Sequence, residues 1–578
     1  MIDIVSGVLA AADSAPNRTA LIAPGETPVT YGELGARVRT IAAALRGDGD
    51  FGVLFAVRPG PDAVALALGA VAAGGTLVLA DPGLAPEVFA GRMALTRPRW
   101  VIAESLLYLL SGPLRRVARR RGLLLPNLRE PFPDARHLYT GPWLPGVPRG
   151  ATSLGALPGL PPGATGTGGL PGVPSSRAGV PGVPPGAAGT GGLPGVPPGG
   201  AGIGGLPSLP PGAAGAGLLG VPPETAGAGG PGLPRGAAGV GPGVAEGAGR
   251  PAVQAAGTWD QAAVVAFTSG TTERPKGVVH TRRSLAEGLR LFTEAVPMGP
   301  GDVVHTDQFI LGLPALIAGA TWSMPGRGDY AEELARRGAT HAFSVPVKLH
   351  QLLERSPRLP ATLRCLLLGA APAPPAVLRR AREAAPTADI LSVYALTEAL
   401  PVAIASAEDK LATTGGDLLG APLPGVRVRV ADDGELFVSG PHLARGYLGD
   451  APLAEVATGD LVRLDARGRL VLLGRKKDMI LRDGVNIYPG VYEPAIAALP
   501  GVGEAAIVGL PDPDTGDEEV VLALTTTAGY DEKLLRRSLP GLMDAPALPD
   551  RIVTLADLPR SGRSDKLDRA AIRRQVAP

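Results

Sequence analysis

Residues 267–281 read FTSGTTERPKGVVHT. Thr268, Ser269, Thr271 and Thr272 crowd around Gly270, and Lys276 sits between Pro275 and Gly277. Hydroxyls and backbone N–H groups in a flexible glycine turn can wrap phosphate oxygens, and a lysine can neutralise them. The spacing is not that of G-x-x-x-x-G-K-[ST]. The fifth residue after Gly270 is Pro275, and Lys276 is followed by Gly277 where that motif needs Ser or Thr.

An apolar run, AAVVAF, leads straight into this loop, and the chain around it alternates in the α/β manner. WVIAE, LRCLLLGA and EAAIVGL read as strands, with Arg- and Glu-rich stretches between them as helices. Asp531–Arg537 and Asp568–Arg574 read as short helices. The architecture this predicts is a doubly wound sheet with ligand loops at strand ends. The eighteen uncharged residues Ala63–Ala80 reach the length of a membrane span. Gly74 and Gly75 split them, so Ala/Leu before the break predicts a helix and TLVLA after it a buried strand.

A net charge of +2 points to no nucleic-acid coat, and the run Arg115–Arg121 suits one solvated helix face. One cysteine, Cys365 in an apolar run, excludes an internal disulfide and a cysteine-built zinc site. The N-terminus carries acids and lacks a basic n-region, so it predicts no signal peptide and a cytoplasmic protein without a membrane span.

Glycine (83) and proline (62) make up about a quarter of the 578 residues. They concentrate in 143–250, where LPGVP recurs at 144, 170 and 193 and charges nearly vanish. Such a stretch buries too little side chain to offset its ordering entropy, which predicts a disordered, elastin-like insert. Its glycines hold no strict third-residue period, which favours an elastin-like linker over collagen.

Taken with the motifs that follow it, the loop resembles that of the adenylate-forming (AMP-binding) enzymes, which include acyl-CoA synthetases and olefin-pathway β-lactone synthetases. Glu273 stands where that family has glycine. YALTEA (394–399) resembles its Tyr-Gly-x-Thr-Glu, with Ala395 for glycine. GAAP (369–372), GELFVSGPHLARGY (434–447), TGD (458–460) and GRKKDMILRDGVNIYP (474–489) follow the family's order, and LPRSGRSDKLDR (558–569) resembles its C-terminal motif. The resemblance implies ATP and Mg²⁺ as cofactors. It implies nucleotide contacts from Thr268, Ser269, Gly270, Thr271, Thr272 and Lys276, and an adenine lining from Gly369, Ala370 and Ala371. Tyr394 and Ala395 would lie at the adenine, Thr397 at the α-phosphate, Glu398 on Mg²⁺, and Asp460 and Arg475 at the ribose. Lys477 takes the hinge position, and Lys566, one residue later than in the family, takes that of the lysine bridging carboxylate and α-phosphate. Arg563 is the alternative to Lys566. Segment 434–447 is implied to be a structural hairpin.

The implied organisation is a large domain of doubly wound sheets plus a small β-barrel over 1–142 and 251–474, and a small α+β domain over 475–578. An acid pocket would span Phe309–Ala320, with Phe309, Ile310 and Gly319 lining it, and its apolar character favours a fatty or hydroxy-fatty acid. The reaction implied is acyl-AMP formation with release of pyrophosphate, followed by transfer to CoA or a carrier-protein thiol. Two other readings stay open: a β-lactone synthetase, in which the substrate's own hydroxyl displaces AMP, and a degenerate homologue that binds nucleotide without catalysis.

Overall fold

The computed structural model describes residues 3–46, 50–79, 86–120, 125, 127–128, 134–160, 259–267, 276–482, 485–511, 518–561 and 566–577. Two large sheets and a C-terminal unit account for these residues. The first sheet has eight strands, in the order Gly446–Tyr447, Gly277–Thr281, Ala262–Phe267, Gly75–Leu79, Phe51–Ala56, Trp100–Glu104, Arg136–Thr140 and Thr152–Ser153. From Ala262–Phe267 to the Thr152–Ser153 edge its pairings are parallel. These strands are almost continuously apolar, as a sheet covered on both faces requires. The break at Gly74 falls where expected: helix Pro61–Ala72 is followed by strand Gly75–Leu79.

The second sheet has thirteen strands. Its centre runs parallel through Val303–His305, His341–Ser344, Cys365–Leu368 and Asp389–Tyr394. Antiparallel strands Ala403–Ser406, Asp417–Pro422, Leu470–Arg475, Val456–Leu464, Glu435–Ser439 and Arg427–Val430 continue it, and the last five stand where the resemblance puts a small barrel. Helix Tyr31–Leu45 starts with a capping box, in which Thr30 and Glu33 each bond the other's backbone N–H. The buried Tyr31 hydroxyl donates toward the Leu316 and Ala320 carbonyls at 2.9 and 2.7 Å, tying this N-terminal helix to the second sheet. Cys365 is a buried strand residue, and burial pushes its thiol up to about 12.

The C-terminal unit packs helices Pro489–Ala497, Glu532–Ser538 and Arg569–Val576 on a three-stranded sheet of Val502–Pro511, Glu518–Thr526 and Arg551–Thr554. Asp531 and Asp568 cap the second and third of these helices, each accepting from the first-turn backbone. Among the described residues, no helix is long and apolar enough to cross a membrane.

Two expectations need correction. Residues 143–160, assigned by composition to the disordered insert, are ordered. They carry strand Thr152–Ser153 and a helical turn Leu154–Ala156, and bury Val147, Leu154 and Leu157. Those three apolar side chains supply the burial that the Gly/Pro background disguised; residues 161–250 of the insert lie outside the described residues. Segment 434–447 is not one hairpin. Glu435–Ser439 joins the second sheet, whereas Gly446–Tyr447 pairs with Val278–Val279 in the first.

Candidate active site

Strand Ala262–Phe267 and its antiparallel neighbour Gly277–Thr281 flank the segment 268–276, with Phe267 opposite Gly277. A Cβ at Gly277 would lie 3.0 Å from side-chain atoms of both Phe267 and Val265, a tight approach that glycine relieves where the chain re-enters the sheet. Thr268, Ser269, Gly270, Thr271, Thr272 and Glu273 lie outside the described residues. Lys276, the first described residue after them, lies with Nζ 5.3 Å from the centre of the Tyr447 ring.

The second loop leaves strand Asp389–Tyr394 at its carboxyl end, where parallel sheets place their ligands. It carries Thr397 and Glu398, both buried. His280, one strand residue beyond Val279, shares a 2.7 Å bond between Nε2 and the Thr397 carbonyl, which requires the proton on Nε2. Its Nδ1 faces Ser284 Oγ at 3.1 Å. Burial holds the His280 ring below the usual imidazole range, so it stays neutral. The Glu398 backbone carbonyl accepts from Ala444 N–H at 2.7 Å, and Ala399 bridges Leu443. Tyr447 Oη donates to Glu398 Oε1 at 3.0 Å. Burial raises the Glu398 carboxyl above the ordinary range, opposed by the Tyr447 hydroxyl and the Lys276 charge.

Asp460 is fully buried between two further expected residues. Tyr394 Oη donates to its Oδ2 at 2.6 Å, and Arg475 Nε lies 2.6 Å from its Oδ1. Its backbone N–H donates to Thr458 Oγ1 at 3.0 Å, which fixes the TGD turn. Burial, and then the Asp460 charge, drive the Tyr394 phenol well above its ordinary value. Sequence reasoning put Tyr394 with adenine and Asp460 with ribose; the structure brings them together with Arg475 as one buried cluster. Gly369, Ala370 and Ala371 follow the parallel strand Cys365–Leu368. Ala370 has a φ of 65°, in the left-handed region where a Cβ is strained.

The segment after Arg475 is held at both ends. Lys476 Nζ lies 2.7 Å from both Asp433 and Glu435 of the second sheet. Asp478 lies 3.4 Å from Arg569, which also pairs with Glu493 of the C-terminal unit at 2.7 Å. Lys477 is the residue between these two sets of anchors. Lys566 lies on a two-residue strand paired with Arg560–Ser561, and Arg563 lies outside the described residues.

Phe309 and Ile310 open helix Phe309–Ile317. Phe309 packs edge-on against Trp322, and Phe309 and Ile310 border an apolar cavity of about 30 Å³ that Ile4, Leu285 and Leu289 also line. Gly319 lies past the far end of that helix in a left-handed turn, its carbonyl accepting from Arg18 at 3.3 Å, so it does not share the cavity.

Among the described residues, no group of three or more His, Cys, Asp or Glu could hold a metal ion by itself. A lone buried carboxylate such as Glu398 suits Mg²⁺, which takes one or two protein carboxylates and completes its octahedron with waters and substrate phosphates. The residues present therefore fit that ion as a companion of a nucleotide. Tyr447 and His280 were missed as site residues, although both lie in motif segments quoted for other reasons.

The profile of the AMP-binding enzyme family matches residues 8–140 and 224–448, and that of the AMP-binding enzyme C-terminal domain matches 492–566. A 2-succinylbenzoate–CoA ligase of Bacillus velezensis is 31% identical over 324 residues, 50% of this chain and 64% of the ligase. A 3-[(3aS,4S,7aS)-7a-methyl-1,5-dioxo-octahydro-1H-inden-4-yl]propanoyl:CoA ligase of Rhodococcus jostii is 31% identical over 280 residues, 45% of this chain and 54% of that enzyme. The aligned stretches thus span roughly half to two thirds of those relatives. The amide bond synthetase McbA of Marinactinospora thermotolerans shares the fold, with a TM-score of 0.70 at 22% identity over 99% of each chain. Profile matches over more than half the chain, together with a shared fold from end to end, establish that the chain belongs to the AMP-binding enzyme family, within the adenylate-forming superfamily.

Proposed function

We propose that the protein activates a carboxylic acid with ATP, forming acyl-AMP and pyrophosphate, and passes the acyl group to a thiol. A carboxylate oxygen is a poor leaving group. When it attacks the α-phosphate of ATP, the P–O bond to pyrophosphate breaks and the oxygen becomes part of AMP, which leaves readily. Negative charge gathers on the phosphorus oxygens, so fixed cations and donors carry the catalysis and no general base is needed. The observation that carries this reading is the convergence on Tyr447 of Lys276 and Glu398, 122 positions apart in sequence, one from each large sheet's loops. Lys276 offsets phosphate charge, the Thr397 hydroxyl is assigned to the α-phosphate, and Lys566 to the bridge between carboxylate and phosphate. Glu398 would hold Mg²⁺, whose charge screens the phosphates of the bound nucleotide. Asp460, oriented by Arg475 and Tyr394, is assigned to the ribose hydroxyls.

For the second step, a turn of the C-terminal unit about Lys477 is favoured by the anchors on either side of that residue. This supports transfer to a thiol such as CoA over lactonisation by the substrate's own hydroxyl. The acid is proposed to be apolar. The cavity beside Phe309 and Ile310 is lined by apolar side chains, which supports an apolar acid. Two CoA ligases with 31% identity are named for cyclic acids, which supports a cyclic one. Acid-dependent ATP–pyrophosphate exchange tests the first step across a panel of aromatic, alicyclic and fatty acids. Mass spectrometry of the products, with and without CoA, tests the second. Failure of every acid to support exchange would leave a nucleotide-binding homologue, and a four-membered lactone formed without CoA would leave the lactone synthetase.

A further inference from the structure

Tyr447 stands where the two charged groups of the site meet, on a segment that sequence reasoning gave to structure alone. The backbone around it is tied to both partners. Leu448 N–H donates to the Gly277 carbonyl at 2.7 Å and Arg445 N–H to Val279 at 2.9 Å. Ala444 N–H donates to the Glu398 carbonyl at 2.7 Å. The phenol is thereby held against the strand that follows Lys276 and against the loop that carries Glu398. Its hydroxyl donates to Glu398 Oε1 at 3.0 Å, and its ring presents itself to Lys276 Nζ at 5.3 Å, within cation–π range.

A phenylalanine would pack as well as a tyrosine here, so packing does not account for the hydroxyl. Lys276 and Glu398 carry opposite charges close enough to feel each other, yet they form no ion pair among the described residues. Were they to close on one another, the cation meant for phosphate and the carboxylate meant for a metal would neutralise each other. A ring on one and a hydroxyl on the other keeps each oriented without consuming its charge. Groups fixed in advance need no reorganisation when the nucleotide arrives.

We propose that Tyr447 is a positioning residue that sets the spacing of Lys276 and Glu398, its hydroxyl aiming the carboxylate and its ring face holding the ammonium. The proposal rests on the adenylation reading given above. Its test compares the full chain with Tyr447→Phe and Tyr447→Leu, measuring binding of Mg²⁺–ATP and of ATP in excess EDTA by calorimetry, alongside the Mg²⁺ dependence of pyrophosphate exchange. Phe keeps the ring and loses the hydrogen bond to a charged group, so Mg²⁺–ATP binding should weaken about tenfold while metal-free ATP stays within about twofold. Leu should show that loss and weaken metal-free ATP about threefold as well, the scale of one exposed cation–π contact. Half-saturating Mg²⁺ should rise in both variants.

A Phe variant that matches wild type in both binding assays overturns the proposal. So does one that loses equal amounts in both while melting at the wild-type temperature, because that is what a general packing role would give. A wild-type chain that binds Mg²⁺–ATP but exchanges with no acid refutes the proposed reaction and leaves the binding comparison to decide Tyr447. A wild-type chain that binds no nucleotide overturns both.

Discussion

Deleting residues 161–250 and inserting about twelve Gly and Ser residues should leave a folded protein with undiminished pyrophosphate exchange. The length follows from the sheet. Strand Thr152–Ser153 is the edge of the first sheet, and Ala262–Phe267 lies five strand positions away. At about 4.8 Å per strand the two are about 24 Å apart. A fully extended chain needs about seven residues to cover that distance. A flexible one matches it at about twenty, since its root-mean-square span is about 5.5 Å times the square root of the residue number. With 251–258 retained, twelve added residues reach that figure. The segment between Leu160 and Trp259 then shrinks from 98 residues to about twenty, and the loop-closure cost falls by about 1.4 kcal/mol. The variant should melt at or slightly above the temperature of the full chain. A version with five residues directly joining Leu160 to Trp259 spans at most about 18 Å and should melt far lower or fail to fold. Differential scanning calorimetry and exchange assays on both variants decide it. A melting temperature well below wild type for the twelve-residue version would show that 161–250 packs on the fold. Exchange lost with melting unchanged would show that the segment serves the site.

Lys566→Ala should lower acid-dependent exchange by about 10²–10³-fold, the scale for one lost transition-state charge partner; near-wild-type exchange, with a collapse in Arg563→Ala, would reassign the role. Lys477→Pro should spare acyl-AMP formation and block thioester formation, because proline fixes φ at the residue between the two sets of anchors; quenched-flow analysis showing no build-up of acyl-AMP would refute the hinge. His442 is fully buried with neither ring nitrogen hydrogen-bonded among the described residues, and burial, followed by the nearby His280 and opposed by Glu287, lowers it to about 4. The unfolded chain binds that proton from about pH 6.5 and the folded chain only near 4, so stability is complete above 6.5 and is lost as pH falls toward 4, by up to about 3 kcal/mol. Urea titrations of His442→Met should show a flatter loss of stability over that window than wild type, and equal slopes would show that the ring is charged in the fold.

Local signals in the sequence determined the elements and the motif order. The two glycines at 74 and 75 end a helix and begin a strand because backbone freedom is a property of the residue itself. Asp531 and Asp568 mark helix starts because a cap bonds only to its own first turn. The residue types and spacing of TSGTTERPKG led to the proposal of phosphate binding without reference to anything distant. Composition was a poorer guide at the edge of the Gly/Pro segment. Burial of Val147, Leu154 and Leu157 depends on what lies beneath them, and the surrounding glycines and prolines say nothing of that. The pairing of Gly446–Tyr447 with Val278–Val279 was likewise not legible, since strand partners so far apart are chosen by the closing of the whole sheet. That pairing brings Tyr447 between Lys276 and Glu398, and the same closure sets His280 against Thr397 and Tyr394 against Asp460. Residue type and spacing could name the chemistry, but the distances between charges that perform it exist only once remote strands have paired.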